Sequence, residues 1–192
     1  IPIYATEGTI HAILECRNLG KFPEGIFHEI REDEPFTLGD MDIHPFAISH
    51  DAAQPVGYRM EHGGRAVAVA TDLGIYDSYI VDHLKGLDAV LLEANHDEKM
   101  LEVGSYPYPL KRRIAGAKGH LSNTMAGQLL CEILHSNLKE VLLGHLSKEN
   151  NYEALAYETV AAEVTAGDNP FHSSDFHLSV AKRSEVSPLI EV

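Results

Sequence analysis

The sequence predicts a layered α/β or α+β domain, in which helices pack outside a mixed sheet. Early in the chain, short alternating apolar segments are joined by tight turns, which is typical of antiparallel hairpins. Later, strand-like and helix-like segments alternate, which is typical of strands linked by helices. With 192 residues, 44% of them hydrophobic, the chain can form one sizeable core. Residues 1–192 show no internal repeat, and they are therefore expected to form a single domain.

The strands are predicted from apolar runs and from period-two alternation of apolar residues. Gly63 and Gly64 separate two such runs, which is a strong signal for a two-residue hairpin. Pro45 indicates an edge or a bulge in its strand, because proline cannot donate to a sheet ladder. The predicted strands cover residues 1–5, 27–30, 36–38, 41–48, 55–62, 65–72, 89–93, 141–144 and 176–181.

The helices are predicted from apolar residues at helical spacing and from capping residues. Thr6 is expected to cap the first helix, whose apolar face includes Leu14, and Ser122 or Asn123 to cap a later one. Residues 104–119 contain two prolines, several glycines and a basic triplet, and are predicted to be a loop-rich insertion. The predicted helices cover residues 6–18, a segment beginning at 77, a short piece ending at 103, 122–135 and 151–166.

The overall charge limits the classes of partner. The chain has 15 Lys and Arg against 29 Asp and Glu, a net charge of −14, which is the opposite of a general nucleic-acid binder. Any contact with nucleic acid must therefore be local, or be offset by metal ions. No apolar run approaches the ~20 residues that span a bilayer, and the first residues lack the basic start of a signal peptide. We therefore expect a cytoplasmic protein that does not cross a membrane, and its oligomeric state stays open, a homo-oligomer included.

The two cysteines support neither a disulfide framework nor a thiolate zinc cluster. Cys16 and Cys131 lie inside two helix-like segments, and their spacing matches no metal or disulfide motif. Both are expected to be buried free thiols.

Four apolar runs each close on a residue that can bind a metal or carry a proton. The run AVAVATDLG delivers Asp72, and three further runs close on His50, Glu93 and His145. Functional sites are commonly assembled at strand ends, because rigid strands fix the geometry and loops give access. The pattern predicts one site built from four strands, with Asp72 at its centre.

The residue types in these positions indicate metal chemistry. His50 and His145 offer imidazoles, and Asp72 offers an oxygen that could bridge two cations, a mixture that suits zinc, manganese or iron. Glu93 and His120, the latter in GHLS before a helix cap, have the composition of a general acid or base pair. The alternative for each residue alone is structural: a hydrogen bond to a turn, or packing at a helix start.

Six short segments together resemble one known family. They are SHDA, VGY, ATDLG, VLLEANHD, GHLSN and LLGHLSKENN, in this order. The succession resembles the metallo-β-lactamase fold, specifically the WalJ/YycJ-like branch of nuclease-type hydrolases, over nearly the whole chain. The resemblance implies an αββα sandwich that holds two divalent metal ions, commonly zinc or manganese, at one edge.

The resemblance also implies roles for the strand-end residues. His50, Asp72 and His145 match metal ligands of the family, and Asp72 matches the aspartate that bridges both metals. Glu93 and His120 match a glutamate and histidine that act together on the leaving group in related branches. In this reading, the first three residues bind metal and the last two are catalytic.

The chain departs from the family pattern at its beginning. It contains no H-x-H-x-D-H motif, which in the family supplies most ligands of the first metal and lies upstream of a segment resembling IPIYAT. The fold is therefore expected to be N-terminally incomplete, and the three remaining groups to hold at best one ion loosely. His96 and Asp97 are further candidates, either beside the metal ligands or in simple loop packing.

The leading functional hypothesis is a metal-dependent phosphodiesterase that acts on DNA or RNA as an exonuclease, as the resemblance implies. Lys111, Arg112 and Arg113 would give phosphates a local positive path, or else form a solvated loop. One alternative is hydrolysis of a small ester, thioester or lactam on the same fold, and another is an inactive regulatory fragment. A two-histidine, one-carboxylate oxygenase site is disfavoured, because His50 and Asp51 are adjacent.

Overall fold

The computed structural model describes residues 1–192 and contains nine strands and six α-helices, with one 3-10 turn at Arg17–Leu19. The strands are β1 (Ile3–Thr6), β2 (Phe27–Ile30), β3 (Phe36–Leu38), β4 (Met41–Ala47), β5 (Val56–His62), β6 (Arg65–Ala70), β7 (Ala89–Glu93), β8 (Glu140–Gly144) and β9 (His177–Val180). The helices are α1 (Glu7–Glu15), α2 (Ser78–Leu84), α3 (Glu98–Val103), α4 (Tyr108–Ile114), α5 (Asn123–Ile133) and α6 (Glu153–Ala166).

Seven of the strands form one mixed sheet in the order β3-β4-β5-β6-β7-β8-β9. The strands from β3 to β6 pair antiparallel, and those from β6 to β9 pair parallel. β1 and β2 form a separate parallel pair, which meets the large sheet where Tyr4 stacks on Phe36 with ring centroids 5.4 Å apart. The mixed α/β class predicted from the sequence is confirmed.

The predicted hairpin and the predicted proline position are both present. β5 and β6 pair up to His62 and Arg65, and the two glycines between them have φ values of 57° and 77°. Both angles lie in the left-handed region that a two-residue hairpin of this type requires. Pro45 pairs with Tyr58 of β5, while β3 ends its pairing at Ile43, so β4 is a sheet edge on that side of the proline.

The core lies between one face of the large sheet and a layer of three helices. Alternate residues of β6 to β9 face inward, and α2, α5 and α6 bury their apolar residues against them. Because side chains alternate across a strand, this pattern leaves the other set of strand residues on the opposite face. No helix of the chain has both the length and the apolar character needed to cross a membrane.

Three predictions about helices were wrong: the loop at residues 104–119, the Thr6 cap, and the end and apolar face of the first helix. Residues 104–119 are not simply a loop, because α4 occupies Tyr108–Ile114. Its proline lies in the first turn, where no backbone donor is needed, and its basic triplet lies in the last turn, where positive charge favours a helix. Thr6 precedes α1 but does not cap it: its hydroxyl donates to the Gln54 carbonyl. α1 ends at Glu15, and Leu14 is 60% exposed.

Candidate metal and catalytic site

The direction of the strands brings the predicted site residues to one edge of the sheet. β4, β6, β7 and β8 all run the same way, because β4 and β6 are each antiparallel to β5 and the later strands are parallel. His50 and Asp72 follow β4 and β6 within three residues, Glu93 ends β7, and His145 directly follows β8. Side chains that are distant in sequence therefore meet at the carboxyl ends of four strands.

Glu93 is a fully buried carboxylate that accepts four hydrogen bonds. Its Oε1 accepts from Nδ1 of His145 at 2.7 Å and from Nδ1 of His120 at 2.9 Å. Its Oε2 accepts from the backbone amides of Leu73 and Leu121, at 2.7 and 3.4 Å. Glu93 thus fixes both imidazole rings and the loop that carries Asp72. Because each ring donates from Nδ1, its Nε2 keeps a lone pair in the neutral form.

The electrostatics of this group favour an ionised glutamate. Burial alone would raise the pKa of Glu93, but the hydrogen bonds from His120 and His145 outweigh it and hold that pKa below its ordinary value. The same hydrogen bond to Glu93 raises the pKa of His145, against the opposing effect of burial. The Glu93 carboxylate and the His145 imidazole therefore stabilise each other's charged forms.

His50 is oriented toward Asp72. Its Nδ1 lies 3.0 Å from the Gly119 carbonyl, which can only accept, so the proton is on Nδ1 and Nε2 carries the lone pair. This Nε2 lies 3.5 Å from Oδ1 of Asp72. The same Oδ1 lies 3.5 Å from Nδ1 of His120 and 3.6 Å from Nδ1 of His145. Asp72 is therefore at the centre of three imidazoles.

The backbone is strained at two of these residues. Asp72 has φ 60° and His145 has φ 56°, two of four non-glycine residues in the left-handed region. Such conformations cost about 1–3 kcal/mol and persist where the surroundings hold them. The Asp72 loop is held by Glu93 and by the Gly74 amide, which donates to the Ser49 carbonyl at 2.8 Å. The fold is thus less stable by this amount, and in return two polar side chains are directed into one site.

The donor set fits a divalent transition metal. Asp72, Glu93, His120 and His145 each place a potential ligand atom within 4.8 Å of the others. Each carboxylate oxygen of Glu93 already accepts two hydrogen bonds, so Glu93 is better suited to orienting metal ligands than to binding an ion itself. Oδ1 of Asp72 and the free Nε2 of His50, 3.5 Å apart, are one oxygen and one nitrogen donor, and the free Nε2 of His145 would be a third. This is the ligand type and number that catalytic zinc takes from a protein.

A basic cleft adjoins the cluster. It has a volume of about 330 Å³, and its lining includes His120, His145, Arg113, Lys148 and Arg183 but no acidic residue. In a chain of net charge −14, this is a local concentration of positive charge. The cleft therefore offers an anionic group electrostatic attraction next to the metal-ligand cluster.

Arg113 is the member of the predicted basic triplet that lines this cleft. Its Nη2 donates to Oδ1 of Asp51 at 2.8 Å, and the Arg113 guanidinium holds the pKa of Asp51 below its usual value. Lys111 and Arg112 line a different cavity, between α3 and α4. Consecutive residues on a helix point about 100° apart, which explains the separation. A role for Lys111 and Arg112 in substrate binding stays a prediction.

The two remaining candidates lie outside the cluster. His96 is 2% exposed and its Nδ1 has no hydrogen-bond partner, and burial lowers its pKa. Asp97 caps α3, because its carboxylate accepts from the Met100 amide at 2.8 Å. Asp97 thus has a structural role, and His96 is one of the residues that line the cavity between α3 and α4.

Lys148 and Arg183 line the cleft but were not among the site residues predicted from the sequence. Lys148 follows β8 by four residues, and Arg183 follows β9 by three. Arg183 donates from Nη2 to the Leu146 carbonyl at 2.7 Å, which places the guanidinium beside the His145 loop. The sequence signal that could have indicated these two residues is their position just after a parallel strand, because the carboxyl ends of β8 and β9 lie at the same edge of the sheet.

Imidazoles and carboxylates at the carboxyl edge of a mixed sheet, beside a cleft lined with basic residues, are the kind of site that metal-dependent hydrolases have. Residues 1–176 match the family described as Beta-lactamase superfamily domain, and the chain belongs to this family. Family membership confirms both the predicted metallo-β-lactamase fold and, at the level of the family, the predicted enzyme class.

Two curated relatives are similar to the chain over much of its length. It is 34% identical over 192 residues to "Exodeoxyribonuclease WalJ" of Streptococcus pneumoniae, covering 100% of this chain and 71% of that protein. It is 34% identical over 161 residues to "Exodeoxyribonuclease YycJ" of Bacillus anthracis, covering 84% of this chain and 60% of that protein.

A solved structure supports the fold independently. The metallo-beta-lactamase fold protein YhfI of Bacillus subtilis superposes with a TM-score of 0.60 at 18% identity, covering 94% of this chain and 62% of that one. At this level of identity, the similarity concerns the fold alone.

Proposed function

We propose that this chain carries the catalytic centre of a metal-dependent phosphodiesterase that acts on DNA as an exonuclease. The observation that carries the proposal is the Asp72 cluster beside a cleft whose only charged lining residues, apart from histidines, are Arg113, Lys148 and Arg183. A phosphodiester is an anion at every step of its hydrolysis, whereas a small ester or lactam needs no such cleft. The names of the two exodeoxyribonuclease relatives support the same substrate class.

In this proposal His50, Asp72 and His145 hold the metal. A divalent ion bound there would lower the pKa of a coordinated water and neutralise charge on the phosphate. The chain's own residues do the rest: Glu93 keeps the proton of His145 on Nδ1, so that Nε2 is free as a ligand. Arg113, held by Asp51, faces the cleft as a preformed donor for phosphate oxygens.

His120 is proposed to protonate the departing oxygen. Its Nδ1 proton is held by Glu93 Oε1, so a second proton on Nε2 is the one available for transfer. Its ring is close to His145, with centroids 5.1 Å apart, and it lines the cleft. Glu93 thus orients the proposed acid, and the same carboxylate orients a metal ligand.

A centre with two divalent ions, zinc or manganese, is also part of the proposal. The three free donors of this chain suffice for one ion, and a second would need ligands beyond them. Both cysteines are free thiols as expected, but Cys16 is exposed and Cys131 is half-buried, so the expectation that both are buried was wrong. We propose a cytoplasmic location on this cysteine usage.

The proposed function is tested by hydrolysis of bis(p-nitrophenyl) phosphate and of a single-stranded oligodeoxynucleotide, with a thioester and a lactam as competing substrates. Assays use the 192-residue chain with added zinc or manganese. His120→Gln is expected to lower phosphodiester turnover about 10²- to 10⁴-fold, the range for loss of a general acid. His62→Gln removes a surface histidine of the hairpin and serves as the matched control, expected to keep wild-type turnover.

Two results would contradict the proposal. Turnover of the thioester or lactam without the phosphodiester would favour a small-substrate hydrolase on the same fold. Metal binding without turnover of any substrate would favour the regulatory, non-enzymatic reading of these 192 residues.

A further inference from the structure

A second groove continues from the basic cleft. It has a volume of about 420 Å³ and shares five lining residues with the cleft, so the two form one continuous depression. We call this second part the side groove. It is lined by His145, Leu146, Ser147, Lys148, Asn151, Tyr152, Glu153, Ala181, Lys182 and Arg183. Each part is in the size range of sites for small ligands, ~300–1,000 Å³.

The junction between cleft and side groove carries two cations without an acidic partner. Lys148 and Arg183 line both parts, and neither forms an ion pair with a carboxylate. By contrast, Lys182 further along pairs with Glu185 at 2.9 Å. Lys148 has its charge free, and Arg183 is fixed by its bond to the Leu146 carbonyl. An anion at the junction would therefore gain two charges without breaking any ion pair.

The side groove also presents an aromatic ring to solvent. Tyr152 is 56% exposed, immediately before α6, and its side chain makes no capping hydrogen bond. An exposed ring beside unpaired cations is the combination that proteins use for single-stranded nucleic acid, where bases stack and phosphates meet positive charge. The ring has no other partner among the aromatic pairs of the chain.

We propose that the side groove binds the nucleotide next to the scissile phosphate, with its phosphate on Lys148 and Arg183 and its base stacked on Tyr152. This inference rests on the proposed phosphodiesterase function and deepens it, because it assigns a strand with at least two phosphates as the substrate. The occupant is an unpaired stretch of strand, since a base can stack on Tyr152 only when its face is free.

Binding without turnover gives the direct test. Fluorescence anisotropy of a labelled oligothymidylate is measured against the 192-residue chain in EDTA, over a range of salt concentrations. Lys148→Gln is expected to weaken binding about tenfold. It is also expected to reduce the slope of log affinity against log salt by about 0.7, the value for one phosphate contact on a single strand. Lys139→Gln, at the opposite end of β8, removes the same charge and is expected to change neither quantity.

The aromatic contact is tested by comparing a ligand that carries bases with one that carries none. Tyr152→Leu is expected to weaken oligothymidylate binding about tenfold while Tyr152→Phe keeps wild-type binding, since stacking needs the ring and not the hydroxyl. Inorganic phosphate, as a competitor, carries no base and is expected to bind Tyr152→Leu and wild type equally.

The side-groove assignment is overturned if Lys148→Gln and Lys139→Gln bind oligothymidylate alike, or if Tyr152→Leu binds it as wild type does. Hydrolysis of bis(p-nitrophenyl) phosphate separates this result from the proposed function. If the chain hydrolyses the diester but Lys148→Gln does not weaken strand binding, only the side-groove assignment is wrong. If the strand binds as expected but the diester is not hydrolysed, only the proposed catalytic function is wrong.

Discussion

Replacing Glu93 with glutamine changes the protons of the site while keeping its hydrogen bonds. The amide can donate to Nδ1 of His120 and of His145, and its oxygen can accept from the backbone amides of Leu73 and Leu121. All four contacts are then made, but each ring must carry its proton on Nε2. Nε2 of His145 would thus lose the lone pair that the proposed metal site uses.

The expected effect is therefore a large loss of metal affinity with a small loss of stability. Loss of a residue that orients a metal ligand costs about 10- to 100-fold in affinity. Glu93→Ala instead leaves two buried amides, those of Leu73 and Leu121, without acceptors, at about 1–3 kcal/mol each. We expect the alanine variant to lose about 2–6 kcal/mol of unfolding free energy, and the glutamine variant about 1 kcal/mol or less.

Urea unfolding of the metal-free chain measures the stability of both variants, and zinc titration measures affinity. Nitrogen-15 NMR of the histidine rings reports which nitrogen carries the proton. The role assigned to Glu93 is wrong if Glu93→Gln binds zinc as tightly as wild type, or if His120 and His145 of this variant keep their protons on Nδ1. If glutamine and alanine destabilise the chain equally, glutamine does not keep the hydrogen bonds to the Leu73 and Leu121 amides as we expect.

Three further predictions concern the supporting structure. Asp72→Gly is expected to abolish metal binding yet stabilise the metal-free chain by about 1 kcal/mol, because it relieves a left-handed non-glycine residue; urea unfolding checks this. Gly74→Ala is expected to cost about 1–3 kcal/mol, since its Cβ would lie 2.2 Å from the Ala117 carbonyl oxygen, and thermal unfolding measures the loss. The Ala66 amide lowers the pKa of buried Asp88, so the stability from this carboxylate is complete above about pH 4 and is lost as the pH falls through the lowered pKa. Asp88→Asn is therefore expected to flatten the decline of the urea midpoint in acid.

The features that could be predicted from the sequence are those with a local signal. Gly63 and Gly64 specified a hairpin, because few residues other than glycine adopt two successive positive φ angles. His50, Asp72, Glu93 and His145 could be grouped because each closes an apolar run, and parallel strands bring their carboxyl ends to one edge.

The features that could not be predicted depend on contacts between distant segments. The ion pair between Arg113 and Asp51 joins residues that are 62 apart in sequence. Residues 104–119 were predicted to be a loop, so the helix that carries Arg113 was not expected. Lys148 and Arg183 belong to separate loops and have no shared motif. The second bond of Glu93, to His145, depends on ring orientation, which no spacing of residues reports.

The most direct test of the central claim is the metal content of the purified 192-residue chain, measured by equilibrium dialysis against zinc and manganese with elemental analysis. We expect about one bound ion per chain, the number that three protein donors support. Binding should fall at least tenfold in His145→Gln and stay unchanged in His62→Gln. A wild-type chain that binds no ion, or a His145→Gln variant that binds as wild type does, would contradict the assignment of this cluster as a metal site.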